Sequence, residues 1–381
     1  MKQVQIVLPL VIVIAVTAAL VAWRDNLAIE SRIITGDDAV LCVRDIERWP
    51  AGAEPSAAQA ITLPDDWLRN GVNHTEVHYR YRFEAPRETA GALGVLLPAV
   101  NLNAQLYLNG RAIDAIGGMS EPVAHNNFTP LLFQLPAAAL RAGSNELRVR
   151  VVSFPPGHGF LGEFCLGPHA LLEPMHDKLM LQGPDFARVI TLLSLVFTAF
   201  MGFVWTLRRS ETMYGWMAAT LFFWSLHSLK YHVSEVPISS LYWAWHLFAT
   251  SISAGMSSFF LIQKLGETSF GPWNRRALML WAFMIVLITA FAASGSIVFY
   301  TLAQACSTIA VFLVSFAFAR SLPLIWRHST FEAYCLMLSL GIAIVLVAYD
   351  NLLVFGFLTR TSGQLAILGV PLLLGVFAYM V

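Results

Sequence analysis

Charge is what this chain has least of. Only 13% of its 381 residues are Asp, Glu, Lys or Arg, and 24 acidic groups cancel 24 basic ones. A zero net charge gives no basic footprint for nucleic acid. Catalytic signatures are missing as well: there is no phosphate loop, no HExxH zinc helix and no GxSxG elbow. An intramembrane aspartyl protease is excluded because its dyad needs two facing carboxylates, and Asp350 is the single Asp inside an apolar run. His74 and His78 lie four apart in "NHTEVH", but that stretch runs into a strand and lacks a third ligand, so no metal site is expected. No cofactor is expected.

The scarcity is uneven. Of the 24 acidic residues, 19 lie between Asp25 and Asp185, so the averages mix a water-facing segment with a membrane one. Apolar runs of spanning length fall at 4–23, 189–207, 213–229, 241–262, 333–349 and 365–381, and the uncharged stretch 277–319 holds two spans joined at "AASGS". The expectation is an N-terminal anchor followed by seven helices.

Orientation follows from the basic residues, which are retained on the cytoplasmic side. With Met1 inside, the cytoplasmic loops carry Arg208, Arg209, Lys264, Arg275, Arg276, Arg320 and Arg327, against Arg188, Lys230 and Arg360 outside. The run 4–23 is longer than the apolar region of a cleaved signal, and no small-x-small site precedes Trp23, so it reads as an uncleaved anchor. A signal peptide would leave the same topology. The domains expected are an anchor at 1–24, an extracytoplasmic segment at 25–180 and a seven-helix membrane domain at 181–381. In an inner-membrane protein, 25–188 would then be periplasmic or extracellular.

Within the outer segment the period is two. "VHYRYRF" sets Tyr79, Tyr81 and Phe83 against Arg80 and Arg82, and "NELRVRVV" sets Leu147, Val149 and Val151 against Arg148 and Arg150. "QLYLNGRAIDAIGG" adds a hairpin signal at Asn109–Gly110. Further strands are expected at 39–45, 94–98, 111–115 and 128–135, with no helical run among them. Many short strands with turn signals predict an all-β sandwich. The fold class expected for the whole chain is therefore mixed: anchor helix, extracytoplasmic β-sandwich, seven-helix bundle.

The order "LPDDW", "VHYRYRFEAP", "NAQLYLNGRAI", "FTPLLFQLP", "LRAGSNELRVRVV" resembles the galactose-binding-like jelly roll that accompanies many glycoside hydrolases. Such domains bind and do not cut. The whole chain, with "RRSETMYGWMAATLFFWSLHSL" entering its second bundle helix, is similar to the bacterial seven-transmembrane receptors with diverse intracellular signalling modules. That resemblance implies a small-molecule ligand such as a carbohydrate, a lipid bilayer as solvent, a homodimer, and a cytoplasmic response regulator where the output is a kinase. It places Trp67 among the ligand-binding candidates.

Cys42 falls in the first expected strand and Cys165 near the last, which in a jelly roll often lie side by side; Cys306 and Cys335 are isolated in apolar runs. A Cys42–Cys165 bridge would be worth on the order of 4–5 kcal/mol in the chain-entropy model. Two buried free thiols fit the same spacing.

Ligand candidates outside are Glu121, His125, Asn126 and Asn127 after the hairpin, with Phe160 and Glu163 in "PPGHGFLGEF". Aromatic and hydrogen-bonding groups suit a sugar, although ordinary loop polarity yields the same residues. In the membrane segment, His227, Lys230, His246 and Asp350 all fall in the outer third. Either they snorkel to the interface, or they form a polar cluster that couples the sandwich to the helices, with a Lys230–Asp350 pair. The connection "EPMHDKLMLQGPDFAR" is expected to make a rigid turn at Pro184. The last run ends at "VFAYMV" without a cytoplasmic tail, so an output module is expected beyond it: a histidine kinase first, a diguanylate cyclase second. A transporter and a polysaccharide-related membrane protein are the other readings.

Overall fold

The computed structural model describes residues 40–84, 92–113, 115–265, 271–328 and 331–354, with side chains at all of these except 324–339 and 354. The anchor expected at 4–23 and the span expected at 365–381 lie outside the described residues.

The strands are β1 (Leu41–Val43), β2 (Asp45–Pro50), β3 (Gln59–Thr62), β4 (Asp65–Asp66), β5 (Glu76–Glu84), β6 (Leu93–Leu97), β7 (Asn103–Leu108), β8 (Arg111–Ala112), β9 (Leu131–Gln134), β10 (Ser144–Val152), β11 (Phe160–Leu161) and β12 (Phe164–Pro168). A four-stranded sheet runs β1-β12-β6-β9, a six-stranded sheet runs β3-β2-β5-β10-β7-β8, and β11 pairs with β4. Alternation in the sequence decides which faces meet. In β5 and β10, Tyr79 lies opposite Val149 and Val77 opposite Val151. These side chains join Val95, Leu97, Phe133 and Phe164 of the other sheet in one core. Each such burial contributes roughly 1.5–3 kcal/mol. The intervening arginines face outward, Arg80 onto Glu47 and Arg150 onto Glu76. Asn109 and Gly110 both take positive φ, 53° and 83°, as a two-residue hairpin between β7 and β8 requires. Expected at 111–115, β8 covers Arg111–Ala112; Ile113 follows with its side chain in the core and its N–H donating to the Leu106 carbonyl at 2.8 Å.

One disulfide joins Cys42 to Cys165, which face each other across the neighbouring strands β1 and β12.

A helix where none was expected leads out of the sandwich. The helix α1 (His169–Met180) runs through a π-helical turn, Leu181–Asp185, into α2 (Phe186–Leu207). The sequence predicts a rigid turn at Pro184, and the structure corrects it: Pro184 lies inside the π-helical turn, which accommodates the missing N–H without ending the helix. Leu172 and Met175 of α1 pack with Leu96 and Cys165 on the outer side of the four-stranded sheet.

The remaining helices are α3 (Thr212–His227), α4 (Ser240–Leu265), α5 (Pro272–Ala293), α6 (Val298–His328) and α7 (Phe331–Val354). Six helices, α2 to α7, thus form the described bundle, where the sequence predicts seven. Among the described residues, four helical segments, His169–Leu207, Ser240–Leu265, Pro272–Ala293 and Val298–Pro323, are long and apolar enough to cross a membrane. Their outward faces are apolar too, as at Val196, Phe203, Phe283, Val286, Phe312 and Phe316. That pattern suits lipid as solvent. The expected break at "AASGS" is present: α5 ends at Ala293 and α6 begins at Val298. The chain is a β-sheet region joined to a membrane helical region.

Candidate functional site

The polar groups of interest gather where the sandwich meets one end of the bundle. Asn103 on β7 is fully buried, and its Nδ2 donates to the carbonyls of Ile116 and Gly118. Asn126 donates to Asn103 Oδ1 and to the Ile116 carbonyl. These two amides set the loop after the hairpin, and that loop reaches the helices. Gly118 N–H donates to Glu235 at 3.3 Å, and His125 N–H donates to the Ser234 carbonyl at 2.8 Å.

Glu121 makes the firmest contact. One carboxylate oxygen accepts from the backbone N–H of Ser240 at 2.6 Å and the other from its hydroxyl at 2.8 Å. Ser240 opens α4, so Glu121 supplies an anion where the helix presents unpaired N–H groups. The His125 ring meets Trp243, the next turn of α4, edge to face at 6.2 Å. Burial pushes the His125 pKa down to about 4, with the Glu121 charge acting the other way.

Phe128 carries the contact onward, its ring 4.8 Å from that of Tyr231 and 5.2 Å from the Lys230 ammonium. Lys230 Nζ lies 2.8 Å from His227 Nε2. Nδ1 of His227 faces the Leu247 carbonyl at 3.0 Å and donates to it, which leaves Nε2 to accept from Lys230. His246 Nε2 reaches the Leu226 carbonyl at 3.0 Å. Asp350, 7% exposed, acts electrostatically on Lys230 and Tyr231. Thus His227, Lys230 and Asp350 are brought together, and His246 stands on the facing helix. On the far side, Tyr300 at the start of α6 meets Phe154 and His158 of the sandwich.

The other ligand candidates are dispersed. Trp67 is completely buried, donates from Nε1 to the Tyr79 hydroxyl at 2.6 Å, and lies where a Cβ on Gly159 would stand. Asn127 accepts from Leu102 N–H at 2.6 Å. Phe160 is buried in β11, and Glu163 pairs with Arg44 at 3.1 Å. A groove of about 570 Å³ lies over the outer face of β2, β3 and β5, walled by Asp45, Glu47, Thr62, Arg80 and Arg82; no motif marks it. Among the described residues no group of three His, Cys, Asp or Glu side chains could hold a metal.

Sequence reasoning missed Glu235, Ser240, Asn103 and Phe128. Ser240 alone had a signal, a serine immediately before an apolar run. Its partner is 119 residues away.

No family model matches the chain, and no curated protein matches it. Among solved structures, it is similar to an FMN-binding beta-glucuronidase from Facaelibacterium prausnitzii L2-6, at 20% identity and TM-score 0.26, over 33% of this chain and 22% of that one. A beta-D-mannosidase from Dictyoglomus thermophilum is 19% identical over 30% of this chain and 16% of its own, with TM-score 0.24. A beta-glucuronidase from Ruminococcus gnavus is 11% identical over 34% and 29%, with TM-score 0.26. The chain therefore spans less than a third of the length of each.

Proposed function

We propose that this chain is the sensory input portion of a transmembrane signalling receptor, with a sensor histidine kinase as output and a diguanylate cyclase as the alternative. In this reading an N-terminal anchor and seven spanning helices place residues 25–188 outside an inner membrane, and the sandwich takes a polar small molecule such as a carbohydrate. The receptor acts as a homodimer and passes its signal to a cytoplasmic response regulator. The sequence resemblance supports the ligand and output classes; the charge asymmetry of the short loops supports the orientation.

One observation carries the reading. The sandwich is not hung on a flexible linker: it is bonded to the bundle by Glu121 on Ser240 and continues into it as helix from His169 to Leu207. A ligand-driven shift of the sheets thus has a mechanical route to the helices. The cluster of His227, Lys230, His246 and Asp350 lies at the receiving end.

Output of the full-length protein tests this. At matched abundance, Asp350→Asn should change basal output or the ligand dose-response while leaving ligand affinity of the sandwich as it was. Identical dose-response curves, together with ligand uptake into vesicles, would sink the receptor and promote transport.

A further inference from the structure

The outward face of the six-stranded sheet sets like charges side by side. Such cross-strand neighbours repel, yet Arg148 on β10 lies directly opposite Arg80 on β5, with Arg150 two residues along the same face. On its other side Arg148 faces Tyr107 of β7, and Arg150 faces Gln105. The neighbouring arginines are compensated: Arg80 holds Glu47 at 2.5 Å and Arg150 holds Glu76 at 2.7 Å. Arg148 is not. Among the described residues it makes no hydrogen bond, and no carboxylate stands within ion-pair range of it, that of Glu146 two positions back included.

Arg148 does have a fixed posture. Its guanidinium lies 4.0 Å from the centre of the Tyr107 ring, and the Tyr107 hydroxyl donates to Gln105 Oε1 at 3.0 Å. Burial covers Nε but leaves the two terminal nitrogens accessible. A stacked guanidinium has little freedom left to lose, and its planar fork matches a carboxylate with two parallel hydrogen bonds. Beside it, Gln105 uses Oε1 for Tyr107 and Arg150, so its amide N–H groups remain for a hydroxyl. Burial holds the His78 imidazole below its ordinary range, Glu76 opposes this, and the Arg148 and Arg150 charges add to it. The ring is thus neutral at pH 7, and the positive charge of this face is that of its arginines.

We infer that this face is the ligand site of the sandwich and that the ligand is an acidic sugar, with its carboxylate on the terminal nitrogens of Arg148 and a hydroxyl on Gln105. This holds on the reading that the sandwich is the ligand-binding domain. A protein partner fits less well. The outward positions 76, 78, 80 and 82 of β5 and 146, 148 and 150 of β10 are all Glu, His or Arg, whereas the centre of a stable protein interface is depleted of charge.

The full chain in phosphatidylcholine nanodiscs is titrated by calorimetry with glucuronate, with glucose, which lacks the carboxylate, and with acetate, which lacks the hydroxyls. Glucuronate should bind saturably and the other two at least tenfold more weakly. Arg148→Gln should weaken glucuronate about tenfold or more, the worth of hydrogen bonds to a charged group; Arg148→Lys, which keeps the charge and loses the fork, serves if that variant fails to fold. Tyr107→Leu, which frees the guanidinium, should weaken it several-fold. Glucuronate bound equally by wild type and Arg148→Gln, or not bound at all, overturns the site. Acetate bound as tightly as glucuronate overturns the sugar. Glucose bound as tightly, and equally by Arg148→Gln, overturns the acidic ligand while leaving the carbohydrate reading in place. Binding lost in Arg148→Gln with signalling output unaltered keeps the site and sinks the receptor.

Discussion

Glu121 and Ser240 form a cap in trans: the carboxylate of a sandwich loop takes both the backbone N–H and the hydroxyl of the first residue of α4, at 2.6 and 2.8 Å. The helix thereby starts on a group that belongs to another domain.

Breaking that cap should loosen the docking without unfolding either domain. Loss of an N-cap costs about 0.5–2 kcal/mol, and loss of an anion at a helix start adds a few tenths. In Glu121→Ala, amide hydrogen exchange should therefore speed up several-fold at 116–126 and at the first turn of α4, while β5 and β10 stay protected. Unchanged exchange at the first turn of α4 would show that the contact contributes nothing.

Docking should weaken in acid through His125. Its pKa is pushed down to about 4 by burial against α4, with the Glu121 charge opposing; freed, the ring returns to about 6.5. A depressed pKa means stability that is present above pH 6.5 and lost as pH falls toward 4. Between pH 7 and pH 5 the docked state should lose about 2 kcal/mol. His125→Phe should flatten this dependence, read from the pH profile of exchange at the interface. A slope that survives the substitution belongs to another group.

Trp67 should matter for stability through a buried chain of polar groups. Its Nε1 donates to the Tyr79 hydroxyl, which donates to Asp65 at 2.8 Å, and Asp65 also accepts from Arg48 at 2.9 and 3.0 Å and from Asn70 at 2.7 Å. Asp65→Ala leaves Arg48 and Tyr79 without this acceptor and should cost about 3–5 kcal/mol. Tyr79→Phe should cost about 1–2 kcal/mol. Urea unfolding of the full chain, followed at the interior of the sandwich, measures both, and equal midpoints for all three proteins would refute the network.

Much of this was legible in the sequence, and what escaped it did so for physical reasons. Strands β5 and β10 announce themselves because Val77, Tyr79, Val149 and Val151 alternate with outward charges, and Asn109–Gly110 because few other pairs tolerate two positive φ values. Helix positions follow from apolar length. Helix α1 was hidden by Pro174 and Pro184, which normally argue against a helix, and here lie inside α1 and the π-helical turn. The junction was hidden because Glu121 and Ser240 are each ordinary polar loop residues until folding joins them. Polarity in the sequence offers Glu121 and His125 as ligand contacts, and the fold sets both against α4.

The last prediction concerns the helix that leaves the sandwich. Helix α1 rests on the four-stranded sheet through Leu172 and Met175, with Gly94 so close that a Cβ there would stand 3.3 Å from His169 and Leu172. It then continues as helix to Leu207. A shift of that sheet must move α2, because a continuous helix transmits displacement along its axis. The π-helical turn holds Gly183 and Pro184, where the ladder is weakest. Inserting Gly-Ser-Gly-Ser between them should cut the lever while leaving the Glu121–Ser240 cap in place. In the proposed receptor, ligand affinity of the sandwich should then stay within about twofold, while the response of output to ligand, a coupling of about 1–3 kcal/mol, disappears. Glu121→Ala in the uninterrupted chain should shift basal output yet keep a response. The reverse pattern, with the insertion tolerated and Glu121→Ala unresponsive, would move the route from the helix to the interface loop.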